Sequence, residues 1–144
     1  MSPVLRTQFA DYGAFHATPG NKACHSIGIP MIVLGVLALL SHAPLTRVGG
    51  YTVTAAEPVI LATTLYYSGL DAALAAMMLV VLAVLAAAGR FLPVPAALGL
   101  FVLGWVFQFV GHYVYEKRSP AFYRNLAHLL VGPLWIVAKA VGRT

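Results

Sequence analysis

The chain has 144 residues, of which 60% are hydrophobic and 9% are charged, and its mean hydropathy is +0.85. A soluble domain carries about 25% charged residues, so this composition excludes an ordinary soluble protein and indicates a single integral membrane domain over residues 1–144. The net charge of +5 comes from Lys and Arg residues scattered between apolar segments, which favours contact with lipid headgroups and argues against nucleic-acid binding.

The first predicted element is a short helix over residues 3–17, which the stretch TPGN at 18–21 interrupts. Most of its apolar residues fall on one side, and this pattern predicts a helix that lies in the plane of the membrane interface. The segment lacks the early apolar core of a signal peptide, so we expect none.

Five apolar runs follow, separated by stretches rich in glycine, proline and polar residues. We expect Asn21 to cap the first run and Asp71 to cap the third, and SHAPLTRVGGYT between the first two to be a loop. Most of the runs approach the length of about 20 residues that crosses a bilayer. The sequence therefore predicts an all-α, multi-pass transmembrane helix bundle with four to five spans, over residues 23–40, 57–67, 72–88, 96–115 and 120–139.

Positive charges are unevenly divided between the two ends of this bundle. Five lie on the N-terminal side and two on the other side: Arg6, Lys22, Lys117, Arg118 and Arg124, against Arg47 and Arg90. Lys139 and Arg143 would join the second group if the fifth run crosses the membrane. Because cytoplasmic loops carry an excess of Lys and Arg, we expect a cytoplasmic N-terminus and location in the bacterial inner membrane.

The same topology gathers four of the five histidines at one membrane face. His25 begins the first span, His112 ends the fourth, and His16 and His128 lie in the elements next to them, whereas His42 is on the far side. Ionisable groups are costly in a membrane helix, and neutral imidazole binds iron, zinc, copper and nickel. The four histidines therefore predict a metal site or a proton-handling site near the cytoplasmic face.

The fourth run carries a polar stripe. Gln108, His112 and Glu116 recur at intervals of four, which places them on one face of a helix. Glycines at 28, 35, 104 and 111 are spaced to permit close contact between helices.

Two motifs resemble those of a known family. The segment YGAFHATPGNKACHSIGIP at 12–30 is similar to the pattern Y-x3-H-x4-N-x3-H-x2-G-x-P. The segment WVFQFVGHYVYEKRSPA at 105–121 is similar to W-x2-Q-x2-G-H-x3-E-x3-P-A. Both patterns belong to the small multi-pass family of fungal 2-hydroxy fatty acid dioxygenases, which act in alpha-oxidation during phytosphingosine breakdown.

The resemblance implies an Fe2+-dependent dioxygenase that needs its histidines and no 2-oxoglutarate. Such an enzyme would use O2 to convert a long-chain 2-hydroxy fatty acid into CO2 and the acid one carbon shorter. The matched positions imply His16, His25 and His112 as metal ligands and Asn21, Gln108 and Glu116 as further catalytic residues.

Other residues near the same face suit this chemistry. The depth of His128 makes it a candidate fourth ligand, although it lies outside both motifs. Glu116 would orient an imidazole by hydrogen bonding to it. Lys22, Arg118 or Arg124 would attract the substrate carboxylate, and the helix bundle in lipid would provide an apolar slot for the acyl chain.

Two other interpretations remain open from the residues alone. Paired histidines in a helix bundle also ligate haem, as in a membrane electron carrier. A histidine cluster in a non-enzymatic membrane protein can instead carry or sense protons.

Overall fold

A computed structural model describes the backbone of residues 1–144 and every side chain except that of residue 121. The described chain is an all-α bundle, which confirms the predicted fold class. A π-helical segment, Val110–Glu116, continues the helix over Val94–Phe109, and a 3-10 turn over Ala121–Tyr123 precedes the helix over His128–Ala140. The helices are α1 (Pro3–Ala14), α2 (Pro19–Ser41), α3 (Ala56–Ser68), α4 (Ala72–Gly89), α5 (Val94–Phe109) and α6 (His128–Ala140).

Three helices are long and apolar enough to cross a membrane, and they indicate a membrane protein. These are α2, α4, and α5 together with its π-helical continuation. The two remaining apolar runs form α3 and α6, which have 13 residues each. A helix of that length extends about 20 Å, less than the roughly 30 Å of a bilayer's hydrocarbon core.

Helix α6 ends on the side of the bundle where it begins. Its first residue, His128, lies 2.8 Å from Asp11 of α1. Just beyond its last turn, Arg143 donates to Asp71, which caps the start of α4. This start lies at the end of the bundle that carries His16, His25 and His112, which we call the histidine side. Lys139 and Arg143 therefore join the five cations already predicted there, so this side carries seven of the nine Lys and Arg residues.

The predicted loop after α2 contains an antiparallel hairpin. Its strands are β1 (Pro44–Val48) and β2 (Tyr51–Thr54). Gly49 and Gly50 between them have φ of +55° and +84°. One of the favoured two-residue hairpin turns requires a positive φ at both central residues. A glycine pair between Val48 and Tyr51, residue types that favour strands, is the sequence signal for such a turn, and the loop prediction missed it.

Side-chain caps fix where α2 and α4 begin. Asp71 Oδ1 accepts from the Leu74 N–H at 3.0 Å, which confirms the predicted cap of α4. The predicted cap of α2 by Asn21 is wrong, because Thr18 Oγ1 accepts from the Asn21 N–H at 3.3 Å. The asparagine side chain is therefore free to make contacts elsewhere.

Glycines bring α2 and the α5 segment into backbone contact, as predicted. A Cβ placed on Gly28 would lie 2.7 Å from the Gly104 carbonyl oxygen. A Cβ on Gly111 would overlap the Asn21 side chain and lie 3.1 Å from His25 Nδ1. The two helices thus approach closely enough to place histidines from both in one cluster.

Candidate metal centre

Three of the predicted ligands converge at the end of the bundle where α2 begins. His16 follows α1, His25 lies two turns into α2, and His112 lies on the π-helical segment. Their ring centroids are 4.3–5.0 Å apart, and each offers a nitrogen within 4.8 Å of the others. All three are buried, with at most 4% of each residue exposed. The group can therefore converge on one metal ion.

Backbone carbonyls orient two of the rings. His16 Nδ1 lies 2.6 Å from the Tyr12 carbonyl oxygen, and His25 Nδ1 lies 3.0 Å from that of Asn21. A carbonyl only accepts hydrogen bonds, so each Nδ1 carries the proton and each Nε2 keeps a lone pair. Metal-bound histidines are commonly held by such an outer hydrogen bond.

The protonation and hydrogen bonding of His16 also fit a metal ligand. Its Nε2 is buried and has no hydrogen-bond partner among the described residues. Burial lowers the pKa of His16 to about 4, so the ring is neutral at physiological pH. A buried neutral imidazole with an unused lone pair is the ligand type that iron, zinc and copper accept.

His112 lies on a rare backbone element. Single π-helical turns inside α-helices are found frequently at functional sites. Here the turn ends at Lys117, which has φ of +53°, and the His112 carbonyl accepts from the Lys117 and Arg118 N–H groups. The stripe predicted from ordinary α-helical spacing therefore gave the correct buried face but the wrong local helix type.

Glu116 binds the junction between α1 and α2. Its carboxylate accepts from the backbone N–H groups of Ala17 and Thr18 at 3.0 and 3.1 Å, from Thr18 Oγ1 at 2.8 Å and from Asn21 Nδ2 at 3.0 Å. Within the described chain, no imidazole is among its hydrogen-bond partners. Glu116 therefore holds the segment that carries His16, which differs from the predicted direct hydrogen bond to a ring.

His128 lies next to the three histidines but outside the group that they form. Its Nε2 is 2.8 Å from Asp11 Oδ2, and its ring packs edge-on against Tyr12 and Phe15. The structure brings His128 to the predicted face. The group of histidines whose nitrogens converge contains the other three and does not include His128 as a fourth ligand.

A small cavity of about 70 Å³ adjoins the three histidines. Gln108 and His128 also line it, and the other wall residues described are mostly apolar or aromatic. None of the described wall residues is a Lys or Arg. Of the cations predicted to attract a carboxylate, Arg118 donates to the Ala14 carbonyl and lies over the Phe15 ring. Lys22 and Arg124 are also not among the residues that line the cavity.

Sequence reasoning gave no role to Tyr12. Its ring stacks on His16 with centroids 3.9 Å apart, and only 3% of the residue is exposed. Its hydroxyl has no hydrogen-bond partner among the side chains and backbone groups described. The sequence signal that could have identified Tyr12 is its position four residues before His16, from which its carbonyl oxygen reaches the His16 ring.

The fold and the site define a helical membrane protein with a buried group of three histidines able to hold a metal ion. Residues 3–144 match the family described as 2-hydroxy-palmitic acid dioxygenase Mpo1-like. The chain is 36% identical over 129 residues to 2-hydroxy-palmitic acid dioxygenase MPO1 of Saccharomyces cerevisiae, a match covering 88% of this chain and 73% of the yeast protein. The chain therefore belongs to the Mpo1-like family, which confirms the resemblance seen in the motifs. No solved structure matches it.

Proposed function

We propose that this protein is an iron(II)-dependent dioxygenase of long-chain 2-hydroxy fatty acids. The reaction consumes one O2 and releases CO2, water and the acid one carbon shorter. The observation that carries the proposal is the buried group formed by His16, His25 and His112. The name of the yeast relative, a dioxygenase of a 2-hydroxy acid, supports an oxidoreductase with this substrate class.

The ligand set suits a divalent iron and an anionic substrate. Three neutral imidazoles would leave the charge of the ion uncompensated, since the Glu116 carboxylate is engaged with the α1–α2 junction. A 2-hydroxy acid brings a negative carboxylate and a neighbouring hydroxyl to that charge. When bound, iron(II) supplies the oxygen chemistry that cleaves the bond between the carboxyl carbon and the hydroxyl-bearing carbon.

The protein's own residues would bind and shield the substrate. The cavity is far smaller than the roughly 300–1,000 Å³ of pockets that enclose whole ligands, so it fits a headgroup and the acyl tail must leave it. A second groove shares Ile29, Val33 and Pro133 with the cavity and continues along α4 past Met78 and Val81. Every described residue that lines this groove is apolar. It therefore offers the tail a path into the bilayer.

The predicted polar residues take distinct roles in this proposal. Asn21 and Glu116 hold the loop that carries His16, whereas Gln108 faces the substrate. Lys22, Arg118 and Arg124 lie outside the cavity, where their charge would attract the anionic acid to the membrane face.

The small cavity also favours a bare ion over haem, because a macrocycle needs far more space than about 70 Å³. The proton-handling interpretation makes a different prediction, namely a folded protein that contains no metal. Metal analysis and an absorption spectrum of protein purified without chelator separate all three interpretations.

The orientation in the membrane gives a testable prediction. With seven cations on the histidine side and two on the hairpin side, we propose that the histidine side faces the cytoplasm. Arg118→Cys should react with a membrane-impermeant maleimide only when the reagent reaches the cytoplasmic side, and Arg47→Cys on the hairpin only from the opposite side. The natural Cys24 is buried and should not interfere. Labelling of Arg118→Cys from the outside alone would contradict this orientation.

The reaction itself is tested by product analysis. Purified protein in detergent, given iron(II), O2 and 2-hydroxypalmitic acid, should yield the fifteen-carbon acid and CO2, detected by mass spectrometry. Omission of oxygen or addition of an iron chelator should abolish both products, because oxygen is a reactant and the histidines have no redox chemistry of their own. Equal product with and without oxygen, or no consumption of any 2-hydroxy acid by iron-loaded protein, would overturn the proposed function.

A further inference from the structure

Two residues of the cavity wall carry buried hydrogen-bond donors that lack partners. Tyr12 and Gln108 are 3% and 6% exposed. Neither the Tyr12 hydroxyl nor Gln108 Nε2 has a hydrogen-bond partner among the described residues. Buried polar groups in native proteins are nearly always paired, and an unpaired one costs about 1–3 kcal/mol. Both residues line the same small cavity, so an acceptor that enters this cavity is the available partner for each donor.

The surroundings hold both donors in place. Tyr12 is fixed by its stack on His16 and by Trp135, whose ring centroid is 5.4 Å away. Gln108 Nε2 packs over Gly28, where any Cβ would lie 2.5 Å from that nitrogen. Both side chains are therefore packed against neighbouring residues at the wall of the cavity.

We propose that Tyr12 and Gln108 form a neutral carboxylate-binding site that holds the headgroup of the 2-hydroxy acid beside the three histidines. This inference rests on the proposed function and assigns the part of the site that recognises the acid. A hydroxyl or amide donor forms a strong hydrogen bond to a carboxylate. Neither donor carries the desolvation cost of a buried Lys or Arg. The cations outside the cavity would attract the acid, and the neutral donors would bind it.

Binding without turnover tests the assignment. Protein loaded with zinc in place of iron should bind 2-hydroxypalmitic acid, measured by calorimetry in detergent. Tyr12→Phe removes only the hydroxyl and keeps the ring that stacks on His16. Loss of one hydrogen bond to a charged acceptor should weaken binding roughly 10- to 100-fold. Gln108→Met, which keeps the length of the side chain, should weaken binding to a similar extent, and zinc content should stay unchanged in both variants.

Tyr67→Phe is the matched control. Tyr67 is a buried phenol whose hydroxyl donates to the Leu130 carbonyl at 2.6 Å, away from the cavity. Its loss should lower the unfolding temperature and leave the affinity for the acid unchanged. Unchanged affinity in both Tyr12→Phe and Gln108→Met, or a loss confined to Arg118→Ala, would overturn the assignment. If wild-type protein binds the acid but never oxidises it, the proposed function fails while the carboxylate site stands.

Discussion

Replacement of His112 with alanine is expected to abolish both metal binding and turnover. The ring provides one of three converging nitrogens, and its neighbours His16 and His25 cannot replace it because their orientation is fixed by backbone carbonyls. Loss of a residue that only supports a metal ligand typically costs about 10–100-fold in metal affinity, so loss of a ligand should exceed that range. Elemental analysis of purified protein and oxygen consumption with 2-hydroxypalmitic acid measure the two effects.

Two other histidine variants serve as controls for this prediction. His42 lies at the opposite end of the bundle, where its Nε2 is 2.8 Å from the Leu92 carbonyl oxygen, so His42→Ala should keep full metal content and activity. His128→Ala should keep its metal, because the ring lies outside the group of three. Full metal occupancy in His112→Ala would contradict the site, whereas metal loss in His128→Ala would restore His128 as the fourth ligand.

The sequence predicted which histidines meet because topology alone brings them together. Spanning helices fix the depth of each residue, so His25 near the start of one span and His112 near the end of another must lie at the same face. The family motifs independently selected the same pair together with His16. Convergence within 4.8 Å confirms that long-range geometry can be derived from hydrophobic runs when a membrane restricts the possible arrangements.

Local details that depend on particular contacts could not be predicted in this way. The π-helical turn and the unpartnered Tyr12 hydroxyl, which lies against Gly132 of α6, leave no periodic signal in the sequence. The sequence also could not predict that α6 does not cross the bundle. Its apolar run resembles a membrane span, whereas Arg143 just beyond its end contacts Asp71 on the side where α6 begins. Pro120 suggested an earlier start, whereas α6 begins at His128 after a 3-10 turn.

The role of Glu116 changed most between sequence and structure. The motif implied a residue beside the metal, and the spacing suggested a hydrogen bond to an imidazole. The carboxylate instead accepts four hydrogen bonds from Ala17, Thr18 and Asn21. It therefore holds the backbone segment that carries His16.

Glu116→Gln is accordingly expected to weaken metal binding without removing a ligand. The amide keeps the size of the side chain but loses the charge and one acceptor, so the α1–α2 junction should loosen. Metal affinity should fall about 10–100-fold, and stability should fall by about 1.5–3 kcal/mol, the value of a hydrogen bond to a charged group. Metal competition titrations and denaturant unfolding in detergent measure the two quantities.

Glu57→Gln provides a control that separates positioning from general stability. Glu57 lies on the hairpin side of the bundle, where its carboxylate likewise accepts from a threonine N–H and hydroxyl, and it also pairs with Arg90 at 2.6 Å. Its replacement should destabilise the protein to a similar degree and leave metal affinity unchanged, because no histidine of the group depends on that contact. If both variants lost metal affinity equally, the effect of Glu116 would be one of stability alone. A loss confined to Glu116→Gln would instead show that this carboxylate positions His16, since the two carboxylates have similar hydrogen bonding and differ in which end of the bundle they hold.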